Sequence, residues 1–120
     1  MTFTELGVRE DLVRAITDMG FVAPMPVQEK VIPHLLNEDN DVVALAQTGT
    51  GKTAAFGLPV LQRIDTTTNK PQALILSPTR ELCLQIAGDL ADYSKYIDNL
   101  SVLPVYGGSS IESQIRALRN

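Results

Sequence analysis

Ala46-Gln47-Thr48-Gly49-Thr50-Gly51-Lys52-Thr53 is the stretch whose residue types and spacing can do chemistry. Gly49 and Gly51 permit backbone angles that a side chain resists, so the chain can approach phosphate oxygens closely. The amides from about Gly49 to Thr53 can then point inward, with the positive end of a following helix behind them. Lys52 is placed to reach the β- and γ-phosphates of a nucleotide as a point charge, and Thr53 offers the hydroxyl that ligates Mg²⁺ in such loops. The general pattern opens with Gly five residues before Gly51, and that place here holds Ala46. A glycine-rich turn with a solvated lysine is the plainer alternative. The apolar run before the loop and the helical pattern after it favour phosphate binding.

A second segment, Gly20-Phe21-Val22-Ala23-Pro24-Met25-Pro26-Val27-Gln28, holds two prolines within three residues, which fix the backbone between Phe21 and Gln28. A rigid aromatic can stack on a base. A glutamine amide offers the donor and acceptor pair that complements the N6 and N7 edge of adenine. On these residues alone, a core aromatic and a solvated helix glutamine are the commoner outcomes.

The elements that must position these residues follow from apolar spacing. Leu12, Val13, Ile16 and Met19 predict a helix that stops at Gly20, and Val27, Val31, Leu35 and Leu36 predict another from Pro26, loosened at Pro33. Val42-Val43-Ala44-Leu45-Ala46 reads as a short strand buried on both faces of a parallel sheet. A helix from about Lys52 is expected to fade near Pro59. Strands are expected at 73–76 and 101–105, and helices from Arg80 toward Tyr96 and from Ser110 onward. Strand–helix alternation of this kind predicts an α/β fold with a three-layer parallel sheet.

The chain has 120 residues, 44% of them hydrophobic and 20% charged. That balance suits one small domain and excludes a disordered tail, and no apolar run is long enough to span a membrane. The single cysteine excludes a disulfide framework and a multi-cysteine zinc site. With no secretory signal, a reducing, cytoplasmic compartment is the expectation. Ten Lys and Arg against fourteen Asp and Glu give a net charge of −4. This argues against a strong bulk electrostatic grip on nucleic acid, while leaving room for a local basic stripe.

Taken together, the motifs resemble those of the DEAD-box RNA helicases. Phe3, Gly20-Phe21, Pro24, Pro26 and Gln28 are similar to the family's Q-motif. Ala46 to Thr53 is similar to its first nucleotide motif, where a leading alanine is normal. Pro78-Thr79-Arg80-Glu81-Leu82 resembles the next motif, and Gly107-Gly108 resembles its glycine doublet. The four matches occur in order over nearly the whole chain. Met25 departs from the pattern, which usually has Ser or Thr between the prolines.

The resemblance implies a truncated, P-loop (RecA-like) first domain, with Q-motif helices over residues 1–37 and its α/β portion over 38–120. It implies ATP or ADP with Mg²⁺ as cofactors. Phe21 would stack on adenine, Gln28 would read its edge and touch the phosphate loop, and Phe3 would pack near that loop. Ala46 through Thr53 would cradle the phosphates, with Lys52 and Thr53 as the catalytic contribution and Thr53 on the metal. Pro78, Thr79, Arg80, Gly107 and Gly108 would contact the RNA backbone without reading sequence.

The Asp-Glu-Ala-Asp motif, the Ser-Ala-Thr segment and the second domain of the family do not occur in these 120 residues. The expectation is a fragment of an ATP-dependent RNA helicase that is inactive alone, with sheet edges open to self-association. Two alternatives are an unrelated P-loop enzyme and a non-catalytic interaction fragment. Cys83 reads as a small buried hydrophobe and His34 as a satisfied or exposed helix residue. Glu38, Asp39 and Asp41 read as a solvated loop, and Tyr93 and Tyr96 as packing residues.

Overall fold

Helix α1 (Glu10–Asp18) buries Leu12, Ala15 and Ile16 on one stripe, at the spacing of a single helical face. The computed structural model describes residues 1–47, 51–108 and 110–119. The helix ends as Gly20 turns to φ +96°. The Gly20 N–H donates to Thr17 O (3.0 Å) and the Phe21 N–H to Ile16 O (3.0 Å), the paired bonds of a Schellman stop. This turn delivers Phe21 back toward the core.

Helix α2 (Pro26–Asn37) starts with proline in its first turn, where no N–H is needed, and runs through Pro33 unbroken. Helix α3 (Lys52–Arg63) likewise passes through Pro59 rather than fading there, correcting the sequence expectation. An interior proline costs about 3 kcal/mol. Leu58 and Leu61 on either side are buried, and each contributes about 1.5–3 kcal/mol by leaving water, which offsets that cost. Helix α4 (Arg80–Tyr93) is capped by the Thr79 hydroxyl, which accepts from the Leu82 N–H (3.1 Å). It ends three residues before Tyr96. Helix α5 (Ile111–Leu118) is capped in the same way by Ser110.

Helix α2 packs on α3, α3 on α4, and α4 on α1. Leu12, Ile16, Ile32 and Leu58 are fully enclosed at the centre. Phe3, Leu6 and Val8 close the core from the N-terminal loop. Gln62 ties that loop down: its Oε1 accepts from the Arg9 N–H and its Nε2 donates to Gly7 O, both at 2.9 Å. Gln72 grips both backbone groups of Asp65 in the same fashion (2.8 Å each).

Past the end of α4, Tyr96 leaves the helix and its hydroxyl donates to the Asp18 carboxylate. Lys95 Nζ lies 3.0 Å from the same carboxylate, and the Arg14 guanidinium sits 4.0 Å from the centre of the Tyr96 ring. The Tyr96 hydroxyl, and then Lys95, hold the Asp18 carboxyl below its ordinary value of 3.8. A carboxyl depressed on folding adds stability above its unfolded pKa and loses it as pH falls through the folded value. Acid titration of the melting temperature is therefore expected to show a loss below about pH 4, part of which disappears in Asp18→Asn. Superimposable wild-type and variant acid profiles would contradict this role for the clip.

The segments expected as strands are not helical, yet no strand pairing occurs among the described residues. Nor is 42–46 buried on both faces: Val43 is 92% exposed and Leu45 96% exposed. Along 73–76, Ile75 packs on the core while Leu74 and Leu76 are each 84% exposed. The alternation is that of an extended chain covered on one face only. A ladder needs a neighbour about 4.8 Å away, whereas 73–76 and 101–105 line a shared cleft of about 680 Å³. Helix α5 leaves Ile111, Ile115 and Leu118 exposed, so it does not cover the open face.

Candidate nucleotide and RNA-backbone site

The apolar run 42–46 leads to the segment expected to cradle phosphate, of which Thr48, Gly49 and Thr50 lie outside the described residues. Gly51 is at the N-terminal boundary of α3, with φ +84°. Its carbonyl accepts the Ala55 N–H (3.2 Å), the first bond of the helix. The N–H groups of Lys52, Thr53 and Ala54 are the early amides that a helix cannot satisfy internally, and they suit an anion. Lys52 is exposed and Thr53 half-buried.

Gln28 is only 1% exposed. Its Oε1 accepts from the Met25 N–H (2.8 Å) and its Nε2 donates to Gly51 O (3.2 Å). One buried amide thus joins the start of α2 to the head of α3. A Cβ on Gly51 would overlap Gln28 Nε2 and lie 3.3 Å from Met25 Cγ. Met25 therefore contributes its backbone N–H to this junction.

Phe21 is half-buried, 6.0 Å from Phe3 and 6.1 Å from Tyr93 between ring centres, the latter nearly edge-on. Phe3 and Tyr93 are both buried. Burial, followed by the nearby Asp89 and Asp92 charges, pushes the Tyr93 phenol up to about 12 and keeps it neutral. Asp89 itself is raised by burial and then by Asp92.

A second cluster gathers where α4 begins. Pro78, Thr79 and Arg80 are exposed there, as are Gly107 and Gly108. The Arg80 guanidinium lies 5.0 Å from the centre of the Tyr106 ring. A Cβ on Gly108, at φ +87°, would lie 3.3 Å from Arg80 Nη1, while the space beside Gly107 is open. Arg80 and Gly108, 28 residues apart in sequence, are thereby brought together. Cys83, half-buried on α4, lies 3.6 Å from Val105 O.

Sequence reasoning missed Tyr106 and Gln114. Tyr106 adjoins the glycine doublet, which could have drawn attention to it. Gln114 carries no local signal. His34 departs from the satisfied or exposed residue expected: it is half-buried, and its Nε2 has no hydrogen-bond partner among the described residues. No group of three acidic, histidine or cysteine residues that could hold a metal occurs among the described residues.

A profile of the DEAD/DEAH box helicase family matches residues 25–120, and the chain belongs to that family. It is 48% identical over 118 residues to the ATP-dependent RNA helicase DeaD of Escherichia coli K12, covering 98% of this chain and 19% of that protein. The chain thus spans about a fifth of the length of this relative. A DEAD box protein from Methanococcus jannaschii is 41% identical and superposes with a TM-score of 0.92, over 98% of this chain and 32% of the other. Prp28 from Chaetomium thermophilum bound to ADP is 37% identical at a TM-score of 0.86, over 99% and 30% of the two chains. Dbp5 from S. cerevisiae bound to RNA and ADP BeF3 is 40% identical at 0.76, over 79% and 25%. These structures support the RecA-like fold, and the family assignment sets aside an unrelated P-loop enzyme. Among the described residues no helix is long and apolar enough to cross a membrane.

Proposed function

We propose that this chain is the nucleotide-binding portion of the first RecA-like domain of a cytoplasmic ATP-dependent RNA helicase. In this reading it takes ATP or ADP at the head of α3 and contacts RNA backbone at the start of α4. The observation that carries the reading is the buried Gln28 amide joined to Gly51 O. A glycine with positive φ, a helix N-terminus and a buried amide meet at one point, which suits a phosphate cradle linked to a base-reading segment. Lys52 supplies positive charge for the β- and γ-phosphates, and Thr53 supplies a hydroxyl for Mg²⁺ held chiefly by the nucleotide. Adenine stacks on the part of Phe21 that is left exposed. Gln28 keeps a second N–H and a second lone pair with which to read the adenine edge.

Hydrolysis needs a positioned water and cationic charge against the transition state, which these residues do not supply by themselves. The reading therefore assigns binding to this chain and turnover to a longer protein. Its exposed apolar faces, Val43 and Leu45 among them, favour self-association through unpaired edges.

Thermal unfolding with Mg-ADP, with Mg-GDP and without nucleotide tests the assignment. A ligand at about a hundred times its Kd stabilises by about 2.7 kcal/mol. Mg-ADP is expected to raise the melting temperature by several degrees and Mg-GDP to raise it little, with the preference lost in Gln28→Ala. Equal shifts with both nucleotides, or no shift with either, would contradict adenine recognition here.

A further inference from the structure

We propose that Tyr106 and Gln114 are positioning residues that hold the Arg80 guanidinium ready for an RNA phosphate. The inference rests on the reading that Arg80 contacts RNA backbone, and it adds the device that aims it.

Three observations converge. The Arg80 guanidinium lies over the Tyr106 ring at 5.0 Å, and among the described residues it forms no ion pair with a carboxylate. A neutral ring orients the cation without cancelling its charge, and it leaves the planar fork of N–H donors available at the rim. A carboxylate in the same place would occupy the donors that a phosphate needs.

The backbone that carries the ring is fixed in turn. Gln114 on α5 accepts from the Tyr106 N–H (3.2 Å) and donates to the Tyr106 carbonyl (3.1 Å), closing both backbone groups with one side chain. This replaces the strand partner that the segment lacks among the described residues. Finally, Gly108 leaves room for the guanidinium, since any Cβ there would press on Nη1. Gly108 thus shapes the place of the arginine as well as the approach of a ligand. Arg80, Tyr106, Gly108 and Gln114 form one unit in which α5 sets the pose of a residue on α4.

The test titrates the full chain with a fluorescent single-stranded oligonucleotide of mixed sequence across a salt series. The variants are Arg80→Ala, Tyr106→Ala, Tyr106→Phe, Gln114→Leu and the double Arg80→Ala/Tyr106→Ala. Each phosphate neutralised on a single strand contributes about 0.7 to the slope of log affinity against log salt. Arg80→Ala and Tyr106→Ala are each expected to lower that slope by about 0.7, and the double variant to do no worse than either single. Tyr106→Phe keeps the ring and is expected to keep the wild-type slope, and Gln114→Leu is expected to fall between. Mg-ADP stabilisation should be unchanged throughout, which a general loss of folding would not allow.

In parallel, the Arg80 side-chain methylene protons are followed by NMR in the free chain. Their upfield ring-current shift is expected to vanish in Tyr106→Ala and to weaken in Gln114→Leu. A wild-type slope in Tyr106→Ala beside a lowered slope in Arg80→Ala overturns the positioning role and leaves the RNA reading standing. An Arg80→Ala variant with the wild-type slope, or no oligonucleotide binding by the wild-type chain, overturns the RNA reading and this inference with it.

Discussion

Replacing Gly51 by alanine is expected to abolish stabilisation by Mg-ADP and to lower the melting temperature by about 8 °C or more. Two effects combine. A residue with a side chain at φ +84° carries about 1–2 kcal/mol of backbone strain. Its Cβ would also overlap the Gln28 amide, and forcing an extra carbon into a filled site typically costs about 1–3 kcal/mol. Relief by moving Gln28 would break its bond to the Met25 N–H and leave Gly51 O with the Ala55 N–H alone, so that relief carries a cost of its own. Gly20→Ala is the control, because Gly20 has φ +96° but no atom within 4 Å of an added Cβ. It should show the strain without the clash and keep its nucleotide response. Equal losses in the two variants, with Mg-ADP stabilisation intact in both, would remove the Gly51–Gln28 junction from the argument.

The second large effect lies in the core. Leu58 is fully enclosed on α3, the helix against which α2 and α4 both pack. Leu58→Ala is expected to cost about 2–5 kcal/mol, from lost transfer energy and the cavity left behind. Against a total of about 5–15 kcal/mol for a domain of ordinary stability, that is a large share. Leu58→Met keeps the volume and should cost under about 1.5 kcal/mol. Urea denaturation gives both numbers. A cost below about 1 kcal/mol for Leu58→Ala would mean that α3 is not the centre of the core.

The helices were legible in the sequence because their signals are local. Pro26 and Ser110 mark starts, Gly20 marks a stop, and the apolar spacing of Leu12 and Ile16 gives the buried face. The overreach at Pro59 came from weighing proline without the burial of its neighbours. The expected sheet fared differently. Apolar runs such as Val42 to Ala46 report a preference for extended backbone, but pairing depends on a partner at the right distance, which no local pattern encodes.

In the candidate site, Gly49, Gly51 and Lys52 carry a local signal for phosphate binding, whereas the Gln28–Gly51 bond joins residues 23 apart and is expected only from the family resemblance. Gln28 apart, the glutamines carry no sign of their role in the sequence. Gln28, Gln62, Gln72 and Gln114 each close one backbone N–H and one backbone C=O, a role fixed by tertiary geometry and open to any glutamine that happens to reach.

The exposed extended segments have a consequence for solubility. Runs of apolar residues with free backbone edges are the raw material of fibrillar stacking. Here each carries its own interruption. Ala73 to Leu76 is bracketed by Pro71 and Pro78, Pro104 falls inside the run 101–105, and Glu38, Asp39 and Asp41 precede Val42. A proline cannot donate to the next strand, and like charges resist in-register stacking. These interruptions therefore set the sequence against open-ended growth through its own apolar runs.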